Sequence, residues 1–280
     1  MAKSALQKLQ NHYARYNTLD QMIEGLNYIE QKLYTDALII FDKLVLESTG
    51  MGSIYKDALR NKGFCLYMLG KFPEALDCYN KLSAVNPNMK EWRYMAACLY
   101  EISKYSEALE PCDKGLKLNS TDPLCLSVKA KCLSKLDQNE EAIEYYDKHF
   151  MLTGSVFSLM HKAICMMLLK RYDAALDEVE SALALDPEQV ETLHIKIHCL
   201  CYLAQYEKAL ACCEEAVVLD SGDENHQRVL YYKILALNKL ARYDEAIACQ
   251  NNQKALSMKG FVDDDALIHK ASTLNRLGSS

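Results

Sequence analysis

Apolar side chains recur along this chain in steps of four and three, the spacing that lines one face of an α-helix. Leu59, Gly63 and Leu66 form one such stripe, and Trp92, Ala96 and Leu99, then Leu126, Ala130 and Leu133, then Leu159, Ala163 and Met166 repeat it. Each stripe is followed by a second amphipathic stretch, for example Ala75, Leu76, Tyr79 and Leu82. A short motif opens that second stretch: Lys71-Phe72-Pro73-Glu74-Ala75 in one copy, Arg171-Tyr172-Asp173-Ala174-Ala175 in another. Its closing alanines are Ala37, Ala75, Ala108, Ala142, Ala175, Ala209 and Ala246, at intervals of 38, 33, 34, 33, 34 and 37 residues. A period near 34 that carries two helical stripes predicts an all-α array of antiparallel helix pairs, in which each pair buries a face against its neighbours.

Placing each motif alanine twentieth in a 34-residue unit gives seven units over residues 18–262, starting at 18, 56, 89, 123, 156, 190 and 227. Residues 1–17 read as one leading helix, with Ala5, Leu6, Leu9, Tyr13 and Tyr16 at helical spacing. Residues 263–280 read as a closing helix or a truncated eighth unit: Asp263, Asp264 and Asp265 suit a helix N-terminus, and Leu267, Ala271 and Leu274 continue the stripe. Together these make about sixteen helices. Extra residues after the first unit (Glu47–Ser53) and after the sixth (Ser221–His226) predict longer loops there. Asn86-Pro87 and Asp186-Pro187 stop second helices, because proline cannot continue the hydrogen-bond ladder. Asp122-Pro123 reads as an N-cap followed by proline in the first turn, and Pro111, past the first turn, predicts a local bend.

The pattern resembles the tetratricopeptide repeat family. Gly25, Tyr28, Ala37 and Phe41 match its marks in the first unit, Gly63, Ala75, Tyr79 and Pro87 in the second, and Trp92 and Ala108 in the third. The likeness runs from residue 18 to about residue 278 and is weakest in the seventh unit, where Gln250 and Gln253 replace packing residues. It implies a right-handed superhelical solenoid, with the second, fifth, ninth and twelfth positions of each unit lining a concave groove. It also implies a protein–protein interaction scaffold or adaptor that holds a partner peptide or helix in that groove. On and beside that face lie Arg60, Phe64, Tyr67, Arg93, Tyr94 and Tyr100, then Phe157, Met160 and His161, then His194, His198, Tyr202, Tyr231 and Tyr232. Aromatic, methionine and arginine side chains exposed in one strip are the types that anchor a bound peptide.

The resemblance raises one specific partner, the Hsp70/Hsp90 chaperones, whose adaptors grip a C-terminal carboxylate with converging Lys, Asn and Arg. Here the matching positions in the first three units are Met22, Leu26, Asn61, Lys90 and Tyr94. Two of the five agree, so this clamp is incomplete and the co-chaperone role is disfavoured.

Composition narrows the remaining classes. With 280 residues, half of them apolar, the chain has ample material for a core. The net charge is −6 with acids and bases interspersed, which supplies no basic stripe for nucleic acid. A membrane helix needs roughly 18 or more consecutive apolar residues, and no such run occurs; the start, Met1-Ala2-Lys3-Ser4, is no secretory signal, so a cytoplasmic location is expected.

Ten of the twelve cysteines are phased with the repeat. Cys65, Cys98, Cys132, Cys165 and Cys199 share the tenth position, and Cys78, Cys212 and Cys249 the twenty-third. A recurrent demand for a small buried side chain explains this better than disulfides or a metal site. Lys62, Lys129, Lys162, Lys196, Lys233 and Lys270 likewise share the seventh position, which predicts stems packed at a seam and heads reaching water or a neighbouring acid. One group breaks the phase: His194, His198 and Cys201, at i, i+4 and i+7, form a candidate metal-binding or pH-sensitive face, although no carboxylate is placed to orient the imidazoles. No phosphate loop, nucleophile elbow or zinc-protease motif occurs, so neither an enzyme nor a cofactor is expected.

Overall fold

The computed structural model describes residues 17–48, 52–83, 88–219 and 223–257, and among them it contains fourteen α-helices and no strand. The chain divides into two compact units, Met1–Gln138 and Asn139–Ser280. The first holds α1 (17–30), α2 (Tyr34–Glu47), α3 (Ser53–Met68), α4 (Phe72–Ser83), α5 (Met89–Glu101), α6 (Tyr105–Leu118) and α7 (Pro123–Lys135). The second holds α8 (Asn139–Thr153), α9 (Val156–Leu168), α10 (Tyr172–Leu185), α11 (Val190–Tyr202), α12 (Tyr206–Leu219), α13 (Asp223–Lys239) and α14 (Tyr243–Ser257). Within each unit successive helices pack together, and the alternate helices α3, α5 and α7, and α9, α11 and α13, also lie side by side. This is an all-α helical-repeat solenoid. Most of the expected leading helix, the closing helix and the Asn86-Pro87 stop lie outside the described residues.

Local chemistry sets the helix starts. Asp122 caps α7 by accepting from the Cys125 amide at 2.9 Å, with Pro123 in the first turn where its missing N–H costs nothing. Asn88 caps α5 by accepting from the Lys90 amide, while Glu91 reaches back to the Asn88 amide at 2.8 Å, a reciprocal capping box. α6 runs unbroken through Pro111 to Leu118. The longer loop expected over Ser221–His226 is corrected from Asp223 onward, since those residues form the first turn of α13. Nothing in Asp-Glu-Asn-His breaks a helix, and acids suit its positive end.

The turn inside each helix pair is uniform. Its fifteenth residue takes a left-handed backbone in all seven cases: Lys32, Gly70, Ser103, Asp137, Lys170, Ala204 and Ala241, with φ between 58° and 73°. The next amide donates to the carbonyl five residues back, as Lys104 does to Leu99 at 2.8 Å and Arg171 to Met166 at 2.9 Å. That is the Schellman closure of a helix, a site that favours glycine, yet only Gly70 supplies one.

The seven motif alanines are all fully buried. Where the eighth position is glycine, a large ring at the twenty-fourth fills the space. A Cβ on Gly25 would meet Phe41 Cζ at 2.7 Å, and one on Gly63 would meet Tyr79 Cζ at 3.0 Å. Where the eighth position is large, as at Ile197, the twenty-fourth is small, as at Cys213, and both sit in one core cluster. Eleven of the twelve cysteines are buried and all are free.

The lysine column is a ladder of ion pairs. Lys62 meets Asp42 at 2.7 Å, Lys129 meets Asp113 at 2.6 Å, Lys162 meets Asp147 at 2.6 Å, Lys196 meets Glu180 at 3.5 Å and Lys233 meets Glu214 at 3.8 Å. Each acid occupies the twenty-fifth position of the preceding repeat. Where the seventh position lacks lysine, at the buried Met95, the acid is absent too and Asn80 takes its place.

Candidate partner-binding face

In the first unit, α3 and α5 carry a connected aromatic strip. Phe64 packs edge-on against Tyr34 (ring centroids 6.0 Å apart) and Tyr94 (5.6 Å), and Tyr67 against Tyr94 (5.5 Å) and Phe72 (5.6 Å). Tyr94 also stacks flat on the fully buried Tyr79 at 5.6 Å, which ties the strip to the core. Tyr100 follows on α5, against Tyr105 at 5.5 Å. Burial pushes the Tyr67 hydroxyl up to about 12, with Glu101 adding a smaller push, and raises Tyr100 as well. Both phenols therefore remain neutral donors at physiological pH.

The two arginines of this strip have structural partners. Arg60 donates from Nε to Glu91 Oε1 at 2.5 Å and from Nη1 to Asp57 at 2.5 Å. Arg93 donates to Asp122 Oδ2 at 3.2 Å, with its guanidinium 4.9 Å above the Tyr94 ring. Glu91 and Asp122 are buried and are the same side chains that cap α5 and α7. Each arginine thus locks the start of the next first helix.

The second unit has its own strip. His161 on α9 lies against Phe157 at 4.0 Å and stacks on Tyr146 at 5.7 Å, and Met160 packs on the adjacent core cluster. On α11, His198 meets Tyr202 at 4.7 Å and Tyr232 at 5.2 Å, while Tyr231 packs edge-on to Tyr232. Tyr202 stacks on Tyr172 at 4.6 Å and is 58% exposed. The other aromatic rings predicted for the face are half-buried against one another rather than fully exposed. Burial lowers the His198 pKa below its usual 6.5.

The histidine–cysteine face does not present three ligands together. His194 and Cys201 are each 6% exposed, and His198 is engaged with tyrosines. Among the described residues no three His, Cys, Asp or Glu side chains are grouped to hold a metal ion.

The residues missed from sequence belong to the recurrent motif itself. Tyr34, Phe72, Tyr105 and Tyr172 share its seventeenth position, and each touches a ring on a first helix. Their repeat phase was the available signal.

A family model described as anaphase-promoting complex, cyclosome, subunit 3 matches residues 68–149. No curated protein matches the chain. Among solved structures, a tetratricopeptide repeat protein from Parabacteroides merdae aligns with TM-score 0.64 at 14% identity, over 92% of this chain and 98% of that one. A chain of the APC/C hetero-tetramer Cut9–Hcn1 aligns with TM-score 0.59 at 18% identity, over 88% of this chain and 47% of that one. YrrB, described as a TPR protein with an unusual peptide-binding site, aligns with TM-score 0.55 at 17% identity, over 63% and 90%. These likenesses define a class, the helical-repeat proteins. Within it, the chain has the fold of the tetratricopeptide-repeat proteins.

Proposed function

We propose that the chain is a non-enzymatic, cytoplasmic adaptor whose seven repeats, flanked by a leading and a closing helix, hold a partner protein's peptide or helix against the first-helix strips. No helix among the described residues is long and apolar enough to cross a membrane. The observation that carries the reading is the aromatic strip itself. Phe64, Tyr67 and Tyr94 in one unit, and His198, Tyr202 and Tyr232 in the other, are fixed by their neighbours but still half-open. Pre-ordered rings of this kind bind at small entropic cost and act as hot spots. A neighbour in fold with a peptide-binding site, and another within a multi-subunit assembly, support the same reading.

A peptide selected from a random display library against the full chain supplies the test ligand. Phe64→Ala, Tyr94→Ala, Phe157→Ala and Tyr231→Ala are then titrated by calorimetry. At least one should weaken binding by about tenfold or more, in line with hot-spot costs. Unchanged affinity in all four would move the site off these strips. An acidic peptide ending in Glu-Glu-Val-Asp should show no saturable low-micromolar binding, because the strip's arginines are tied to Glu91 and Asp122.

A further inference from the structure

The chain's net charge is not shared between its two units. Asn139–Ser280 carries 22 acids against 14 lysines and arginines, a net −8, whereas Met1–Gln138 carries 16 against 18. Within the second unit the seam cations Lys162, Lys196 and Lys233 are already matched to acids. Asp186, Glu188 and Glu191, by contrast, are exposed, form no ion pair among the described residues, and lead into the start of α11.

The neighbouring first helix, α9, has the opposite character. Phe157, Met160, Ile164 and Met167, at i, i+3, i+7 and i+10, are half-open, and Leu168 is 57% exposed. None of the five carries a charge or a hydrogen-bonding side chain. Met160, Ile164 and Met167 rest on the core cluster around Ala163, Ala175 and Val179, so the face is supported from beneath and open above. α11 lies alongside α9, which brings its acidic start to the margin of that face.

We propose that the second unit takes a basic amphipathic helix of a partner protein. The guest's apolar side lies on the α9 face, and its lysines and arginines point toward Asp186, Glu188 and Glu191. The inference rests on the adaptor reading above and adds the partner's conformation and charge.

Backbone chemistry selects a helix. An extended segment brings N–H and C=O groups that its receptor must satisfy, usually by adding a strand to a sheet edge, and the α9 face offers them nothing. A helix satisfies its own backbone and presents only side chains. The ten-residue step from Phe157 to Met167 spans roughly 15 Å, about three turns of such a guest. Methionine suits this use, because an unbranched thioether adapts to ridges of different shape. The unit's excess of acids selects the sign, drawing in a basic guest and repelling an acidic one.

A display library of helix-forming peptides about 18 residues long, roughly 27 Å of helix, is selected on the full chain. Enriched sequences should place apolar residues at i, i+3 or i+4, and i+7, with more Lys and Arg than Asp and Glu. A selected peptide should gain helical circular dichroism on binding. Its affinity, read by fluorescence polarisation, should fall about five- to tenfold in Met167→Gln and in Leu168→Gln, while Phe64→Ala in the first unit leaves it within about twofold. Both α9 substitutions fall on open or half-open positions, and circular dichroism of each variant checks the fold. Glu191→Gln should weaken binding about two- to threefold and reduce its salt dependence. A scrambled peptide of the same composition that binds equally well means charge attraction without a docking face, and overturns the proposal. Enriched sequences that are acidic, that stay non-helical when bound, or that ignore Met167 and Leu168 also overturn it. If those binders depend instead on Phe64 and Tyr94, the adaptor reading stands. A selection without binders overturns this proposal, and if random-library peptides depend on neither strip, both readings fall.

Discussion

Asp113→Asn tests the lysine ladder most sharply, because the two ends of its pair are unequal. Lys129 keeps only 10% of its side chain exposed, whereas Asp113, 2.6 Å away, keeps 57%. The lysine has been taken out of water and the acid has not. Removing the acid leaves a desolvated ammonium without that carboxylate. In a fully buried pair that costs several kcal/mol, and solvent screening on the open side of Asp113 reduces it to about 1–2 kcal/mol. Lys129→Met removes the desolvated charge and leaves an acid that water can solvate, at a cost under about 0.5 kcal/mol. The double variant recreates the Met95 and Asn80 pair that the chain already uses at another seam, and it should stay within about 0.5 kcal/mol of the parent. Because a repeat stack opens locally, the readout is native-state hydrogen exchange at the α6 and α7 amides rather than one global melting curve. Equal costs for the two single variants, or a double variant as unstable as Asp113→Asn, would refute the reasoning. So would a coupling unchanged at about 1 M salt, where the screening length falls to about 3 Å.

Three further outcomes are expected. Cys249, the one cysteine that is not buried, should react first with a thiol reagent in native buffer. Cys201 is instead 6% exposed with its thiol pushed up to about 11 by burial, and mass mapping that finds it modified as fast as Cys249 would contradict this. His198 resists protonation in the folded state, so the unfolded chain binds the extra proton as pH falls below about 6.5 and stability declines in that window. His198→Gln should flatten that decline in denaturant titrations, and an unchanged slope would discount burial of the ring. Ser103→Gly and Lys170→Gly should each stabilise the chain by about 0.5–1 kcal/mol, since relief of a left-handed residue (about 1–2 kcal/mol) exceeds glycine's extra unfolded freedom. A lowered melting temperature in both would count against the strain.

Features locked to the repeat phase were legible because each is posed several times. One buried alanine says little, but seven at the same position report a helix crossing too close for anything larger. The cysteines yielded to the same logic, and the structure buries eleven of them without a disulfide. The left-handed turns were much less legible. A rule that looks for glycine finds Gly70 and misses Lys32, Ser103, Asp137, Lys170, Ala204 and Ala241. Packing on both sides dictates that backbone, so the local preference of the turn residue is overridden.

The candidate site was legible as a face but not as a set of partners. Position alone puts Arg60 and Arg93 beside tyrosines, yet what each guanidinium does depends on Glu91 and Asp122, 31 and 29 residues away. Those two acids look like ordinary helix caps in the sequence. Each has two carboxylate oxygens, and a cap uses one; the second oxygen, buried, requires a donor of its own. An arginine on the preceding first helix meets that requirement, and so a residue type that would suggest ligand binding serves the register between neighbouring repeats.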